Sequence, residues 1–239
     1  MNSEIKERIV KVVVMSDAHW NFPYIEVPEC DIFMYCGDWS GSGTMTEHIK
    51  FCAWINKINA RYKLIVPGNH DMYCYHYQEM ADSMLRGSNA ILLVDKEVEC
   101  CGIKIYGTPW SPRFGNWGYM RPDEDLYKYF KAIPKGIHFL LTHTPPNGIL
   151  DLCGATHIGS ESLARALKNK PIKYHFFGHN HTPGYFKKKG SKSVAERNYF
   201  NVSVCDDEYQ VVKQPKIMEF KVKYEIMEDA VNTLEVQKL

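Results

Sequence analysis

Residues 12–19 read Val12-Val13-Val14-Met15-Ser16-Asp17-Ala18-His19, an apolar β-branched run that stops in an aspartate and a histidine. The run has the length and composition of a buried strand. The same design returns four times downstream. Phe33–Cys36 runs into Gly37-Asp38, Leu64–Val66 into Pro67-Gly68-Asn69-His70-Asp71, Phe139–Leu141 into Thr142-His143, and His175–Phe177 into Gly178-His179-Asn180-His181. In open α/β sheets the carboxyl ends of the strands form the ligand crevice, so these five ends would converge on one place.

Working outward, the sequence predicts strands over Lys11–Ser16, Ile32–Cys36, Tyr62–Val66, Ile103–Tyr106, His138–Thr142, Tyr174–Phe177, Tyr199–Val204 and Ile217–Val222. Helical spacing of apolar residues marks Thr44–Ala60, and shorter helices are expected over Met72–Leu85, Asp123–Ala132 and Glu161–Leu167. Strands alternating with helices indicate an α/β architecture. The later strands follow one another with fewer helices, which suggests a second, partly antiparallel sheet. Phe186–Asn198 is polar and basic and reads as an exposed hairpin or loop; its Lys187–Lys189 run is expected to be solvated. The stretch after Lys223 reads equally as helix or strand.

The 239 residues, 45% hydrophobic, suit one large domain. Lys plus Arg is 29 against 28 for Asp plus Glu, so no membrane partner is implied and a nucleic-acid partner is not favoured. The charged opening MNSEIKERIV lacks a secretory apolar core, and no apolar run approaches the roughly 20 residues that span a bilayer. The eight cysteines are irregularly spaced with no CxxC pair. A zinc ribbon is therefore not expected, and free thiols in a reducing, cytoplasmic setting are. Nothing in the sequence speaks to oligomeric state.

Strand residues two apart point to one side, so Asp17 with His19, and His179 with His181, are expected to face a common point while Ala18 and Asn180 turn away. Carboxylate and imidazole together suit Mn²⁺, Fe²⁺ or Zn²⁺. Asp17, His19, Asp38, Asn69, His143, His179 and His181 outnumber the three or four side chains that one ion takes. Two ions about 3.5–4 Å apart with a shared carboxylate would use them all. Asp38 is the expected bridge, because its strand should lie between the others. A single strand-end histidine is usually structural, and an aspartate after glycine is usually a turn residue. The ordered recurrence of all five blocks carries the metal reading.

These blocks, Asp17-Ala18-His19, Gly37-Asp38, Gly68-Asn69-His70-Asp71, His143 and Gly178-His179-Asn180-His181, resemble the calcineurin-like metallophosphoesterase family with no element missing. Gly107-Thr108-Pro109-Trp110, Phe114-Gly115-Asn116-Trp117, Leu141-Thr142-His143-Thr144-Pro145-Pro146 and Asn201-Val202-Ser203 are similar to its metallophosphoesterase-domain-containing (MPPED-like) subfamily. Some members of that subfamily lose one histidine of the last motif; this chain keeps both. The resemblance implies a four-layer α/β/β/α sandwich of two mixed sheets, with a core over about 8–223 and an unmatched extension over 224–239 in a single domain of 1–239. It implies that Asp17, His19, Asp38 and His181 hold one divalent ion and that Asp38, Asn69, His143 and His179 hold the other. His70 would stand beside the phosphate, oriented by Asp71, rather than bind metal.

The expected chemistry is hydrolysis of small phosphodiesters or phosphomonoesters by a metal-bridging hydroxide, with His70 protonating the leaving group. Asp71 would assist His70, or cap the helix that starts near Met72. The subfamily resemblance favours nucleotides and cyclic nucleotides. The alternatives are a nuclease and a nucleotide-binding regulatory protein with weak turnover. Trp110, Phe114, Trp117 and Tyr119 cluster with Arg113 and Arg121, and either line a base pocket or pack on the core. Trp110, Arg113 and His157 are the named substrate-binding candidates, and Trp20 and Trp39 are expected to wall the metals. His48, His76 and His138 read as ordinary structural histidines.

Overall fold

The computed structural model describes residues 4–181, 191–194, 197–227 and 230–239. Its elements are β1 (Glu4–Met15), β2 (Cys30–Cys36), α1 (Met45–Lys57), β3 (Ala60–Val66), α2 (Met72–His76), α3 (Gln78–Gly87), β4 (Ile91–Leu92), β5 (Lys96–Cys100), β6 (Ile103–Thr108), β7 (Ser111–Pro112) and β8 (Met120–Arg121). They continue as α4 (Asp123–Lys131), β9 (Phe139–Thr142), β10 (Leu152–Cys153), β11 (Thr156–His157), α5 (Glu161–Leu167), β12 (Tyr174–Phe177), β13 (Ser191–Val194), β14 (Arg197–Asn201), β15 (Lys216–Met227) and β16 (Ala230–Lys238).

Two six-stranded sheets result, ordered β16-β15-β1-β2-β3-β4 and β13-β14-β12-β9-β6-β5. In each, four strands run parallel, and the antiparallel ones lie outside them. Alternation along the strands builds the layers. Val12, Val14, Ile32, Met34, Leu64 and Val66 share a core with Ile105, Phe139, Leu141, Phe176 and Phe200 of the second sheet. The intervening Val13, Met15, Phe33, Tyr35 and Ile65 pack with Phe51 and Ile55 of α1 and with Ala81 and Leu85 of α3. Tyr106 and Leu140 face Leu126 and Phe130 of α4 and Leu163 of α5. Strands covered on both faces read as unbroken apolar runs, which is why the sequence marks them so plainly. The architecture is the four-layer α/β/β/α sandwich of two mixed sheets.

Every expected strand is present, several of them longer than read. β1 starts at Glu4 because β15 pairs with it along its whole length, Glu4 against Ile226. The C-terminal stretch is a strand hairpin, β15 with β16, and the expected core limit at 223 falls inside β15. The helix expected over Met72–Leu85 is broken at Tyr77, which leaves the helical region at φ −130 and ψ 49. β13 and β14 pair antiparallel, so the described part of Phe186–Asn198 is a hairpin; Lys187–Lys189 lies outside the described residues. No helix among the described residues is long and apolar enough to cross a membrane.

The parallel registers of β1, β2 and β3 and of β9 and β12 bring five carboxyl ends to one rim. A bridge between Ser16 and Ser203 and a hydrogen bond from the Gly178 amide to the His143 carbonyl (3.0 Å) tie the rim together.

Candidate metal centre

The donors enter from turns and not from strand alternation. β1 ends at Met15, and Asp17, His19 and Trp20 all take positive φ (55, 38 and 79), as do Asp38 (60) and His179 (65). Such residues are uncommon outside glycine and cluster where a site over-determines the backbone. Here the turns are held in step by the Asp17 amide on the Gly37 carbonyl (2.8 Å), the His19 amide on the Asp38 carbonyl (3.1 Å) and the Trp20 amide on the Trp39 carbonyl (2.8 Å). Ala18 and Asn180 do turn away from the donors. Ala18 packs in the hydrophobic core with Phe22 and Tyr35, and the Asn180 side chain donates to the Leu150 and Leu152 carbonyls (2.9 and 3.0 Å). Glycine at 178 is required for close approach: a Cβ there would run into the Asp17 carboxylate and Ser16. At Gly37 (φ 98) a Cβ would strike the His143 ring and the Gly68 backbone.

The seven predicted donors meet. His19 Nε2 lies 3.1 Å from His181 Nε2, which is 3.4 Å from Asp17 Oδ1. His143 Nε2 lies 3.3 Å from Asp38 Oδ2, 2.9 Å from Asn69 Oδ1 and 3.1 Å from His179 Nδ1. His19 Nε2 stands 3.9 Å from Asp38 Oδ2, so Asp38 sits between the two groups, as the central place of β2 requires. Donor atoms of Asp17, His19 and His181 lie within 4.8 Å of one another, as do those of Asp38, His143 and His179. His70 forms a third such trio with His19 and Asp38.

The tautomers explain what these atoms face. His143 Nδ1 is 2.9 Å from the Cys36 carbonyl and His181 Nδ1 is 2.9 Å from the Asp206 carbonyl. A carbonyl only accepts, so both Nδ1 atoms carry hydrogen and both Nε2 lone pairs turn inward. There they meet carboxylate and amide oxygens, which are lone pairs as well. Separations of this size are those of neighbouring ligands around an ion with bonds of about 2.0–2.2 Å. The donor set therefore fits divalent cations. Without a cation, protons must serve. Burial works against charge on His143, but the Asp38 carboxylate outweighs it and lifts the ring to about 9. Burial likewise opposes the charge on Asp38, and His143 holds its carboxyl far below the usual range. The same exchange lowers Asp17 and raises His181. Burial pushes His19 down to about 4, and burial with the neighbouring His143 charge pushes His179 down to about 3.

The expected pairing of Asp71 with His70 is not what forms. The buried Asp71 carboxylate accepts from the backbone amides of Asp38 (2.9 Å), Ser40 (3.0 Å) and Gly68 (2.7 Å). It makes no side-chain cap to α2 either. Its role is to lace the β2 and β3 turns together. His70 is oriented by the Gly41 carbonyl, 2.7 Å from Nδ1. Its backbone amide donates to Asp38 Oδ1 at 2.7 Å.

The substrate candidates separate. Trp110 is only 9% exposed; its indole donates to Asp95 (2.7 Å) and stacks on Tyr129 at 4.3 Å, so it belongs to the core and not to a pocket wall. Arg113 is exposed on the loop after β7. His157 holds the buried Asp151 carboxylate at 2.8 Å and lines an open cleft with Pro112, Asp123, Asn147 and Arg165. None of its described contacts reaches the seven donors. Trp39 is buried against Phe51 (4.5 Å), and Trp20 carries Lys50 over its ring (4.7 Å); neither stacks on a donor ring among the described residues. His48 and His138 make ordinary backbone contacts.

Three exposed rings do border the centre: Trp117 stacked on His70 (4.3 Å), Phe114 beside the donor His179 (5.6 Å) and Tyr209 beside the donor His19 (4.6 Å). The aromatic loop was visible in the sequence, although its outermost member had no mark to set it apart from Trp110. Tyr209 carries no signal of its own role. Glu47, whose carboxylate shapes the turn that orients His70, was passed over, although Thr44-x-x-Glu47 has the pattern of a capping box that could have marked it.

Fold and centre together define a metallophosphoesterase. The model of the Calcineurin-like phosphoesterase family matches residues 10–183. The chain belongs to that family, a family of metal-dependent phosphoesterases. Metallophosphoesterase domain-containing protein 1 of Homo sapiens is 30% identical over 235 residues, covering 87% of this chain and 70% of its own. A UPF0046 protein of Caenorhabditis elegans is 30% identical over 246 residues, covering 92% and 84%. Among solved structures, TT1561 of Thermus thermophilus superposes with a TM-score of 0.60 at 12% identity over 81% of this chain and 89% of its own, a likeness of fold.

Proposed function

We propose that the protein hydrolyses small phosphodiesters and phosphomonoesters, nucleotides and cyclic nucleotides foremost, with two divalent cations. In this reading Asp17, His19, Asp38 and His181 hold one cation, and Asp38, Asn69, His143 and His179 hold the other. The observation that carries it is the inward convergence of lone pairs on His143 and His181, each fixed by a carbonyl behind it. The mixed carboxylate, imidazole and amide set suits Mn²⁺, Fe²⁺ or Zn²⁺. Bound there, such cations supply Lewis acidity toward phosphoryl oxygens and lower the pKa of water toward neutrality.

The chain's own residues supply the rest. Gly41 occupies His70 Nδ1, which leaves Nε2 as the atom that passes a proton to the departing oxygen. General acid catalysis of this kind contributes about 10²–10⁴-fold. The exposed Phe114, Trp117 and Tyr209 rings offer stacking faces to a nucleobase, and Arg113 offers a cation to a phosphate or base edge. The near-balanced charge suits a small substrate better than a long polyanion. The eight cysteines are unpaired, in keeping with a cytoplasmic setting.

The test is to strip the metals, restore Mn²⁺, Zn²⁺ or Fe²⁺, and assay bis-p-nitrophenyl phosphate, p-nitrophenyl phosphate and a panel of cyclic nucleotides. Turnover should return with metal and vanish in Asp38→Asn. Undiminished turnover in that variant overturns the reading. Tight nucleotide binding without turnover under any metal would make the protein a nucleotide-binding one. Faster cleavage of long single strands would make it a nuclease.

A further inference from the structure

A proton donor must be held still to be useful, since misplacement by about 1 Å can cost on the order of 10²-fold in rate. His70 is held on an edge and on a face. At its edge Nδ1 meets the Gly41 carbonyl at 2.7 Å. On its face lies the Trp117 indole, ring centroids 4.3 Å apart and planes 27° apart. The His19 ring stands almost perpendicular to it, at 4.7 Å and 86°.

Both supports are anchored in turn. Glu47, only 6% exposed, accepts from the Gly41 and Ser42 amides (3.0 and 3.1 Å) through Oε1 and from the Thr44 amide (2.6 Å) through Oε2. That carboxylate therefore fixes the turn that presents the Gly41 carbonyl. The Trp117 loop is tied by the Gly118 amide to the Asn69 carbonyl (3.0 Å), one residue before His70. Trp117 itself is 36% exposed and belongs to neither hydrophobic core, so its packing against His70 is not explained by burial.

We propose that Trp117 is a positioning residue that holds the His70 ring where it delivers a proton to the leaving oxygen, with Glu47 acting on the same ring through Gly41. The inference rests on the reading of His70 as the leaving-group acid. In that step a water oxygen bonds to phosphorus. The P–O bond to the leaving group breaks, and its electron pair stays on the leaving oxygen. His70 Nε2–H supplies the proton that neutralises it. The proton shed by the water passes to solvent, and His70 takes one back before the next turnover. Leaving groups that are strongly basic need this proton; activated ones depart without it.

Phenyl and p-nitrophenyl phosphate share a ring and differ in leaving-group basicity, so they separate this role from stacking. In the metal-loaded enzyme, Trp117→Ala should lower kcat on the phenyl ester by on the order of 10-fold more than on the nitrophenyl ester. Metal content should be unchanged, Trp117→Phe should restore most of the loss, and Trp117→Ala should cost nothing further in a His70→Ala background. Glu47→Gln should show the same leaving-group bias. Equal losses on both esters, a loss confined to KM, or additivity with His70→Ala overturns the positioning role while leaving His70 as the acid. If His70→Ala itself treats the two esters alike, the acid reading falls and this inference with it.

Discussion

His143 shows how much one side chain is asked to do. Its Nδ1 is committed to the Cys36 carbonyl, its Nε2 faces three other donors, and Gly37 is glycine partly because this ring lies against it. Residues of this kind were legible because the chemistry leaves a mark: an apolar strand ending in Asp, Asn or His does not recur in order by chance. Roles that depend on the turn itself were not legible. Asp71 follows His70 in sequence, yet its carboxylate faces three amides on the far side of the turn. His70 is a close neighbour of His19 and Asp38, so its standing needs its own measurement. His70→Ala should retain the full metal content, read by elemental analysis, and lose about 10²–10⁴-fold in kcat on esters with basic leaving groups. A fall in bound metal instead would make His70 a ligand.

Among the elements, α1 links local folding to the site. Thr44 accepts from the Glu47 amide and Glu47 accepts from the Thr44 amide, a reciprocal cap that satisfies two otherwise unpaired donors. Thr44→Ala should destabilise the protein by about 1 kcal/mol, read as a drop of roughly 2–4 °C in Tm. It should slow turnover less than Glu47→Gln, because the Glu47 carboxylate, not the Thr44 hydroxyl, accepts from the Gly41 and Ser42 amides. The strands of the parallel cores were read from sequence because burial on both faces makes them uniformly apolar. β5 (KEVEC) was missed, and β16 was left open between helix and strand, because edge strands alternate charge with apolar residues and look like surface. The break at Tyr77 escaped because helical spacing continues across it, with Ala81 and Leu85 buried beyond.

Across the whole molecule, the donors are divided between the sheets. Asp17, His19, Asp38 and Asn69 follow strands of the first; His143, His179 and His181 follow strands of the second. Cations that bind only the folded chain stabilise it by mass action, about 2.7 kcal/mol at a hundred times Kd. Removing metal with a chelator should therefore lower Tm by roughly 5–10 °C, and restoring it should reverse the change. A Tm indifferent to metal would count against a centre built from both sheets.

The Ser16–Ser203 bridge stitches the two sheets at the same rim from outside the donors. The reactive centre thus straddles a seam, like a rivet through two plates. Slippage of either plate would change the spacing between the two halves of the ligand set before any single ligand was lost. Substitutions deep between the plates, far from the rivet in sequence, are thereby given a direct route to the reaction rate.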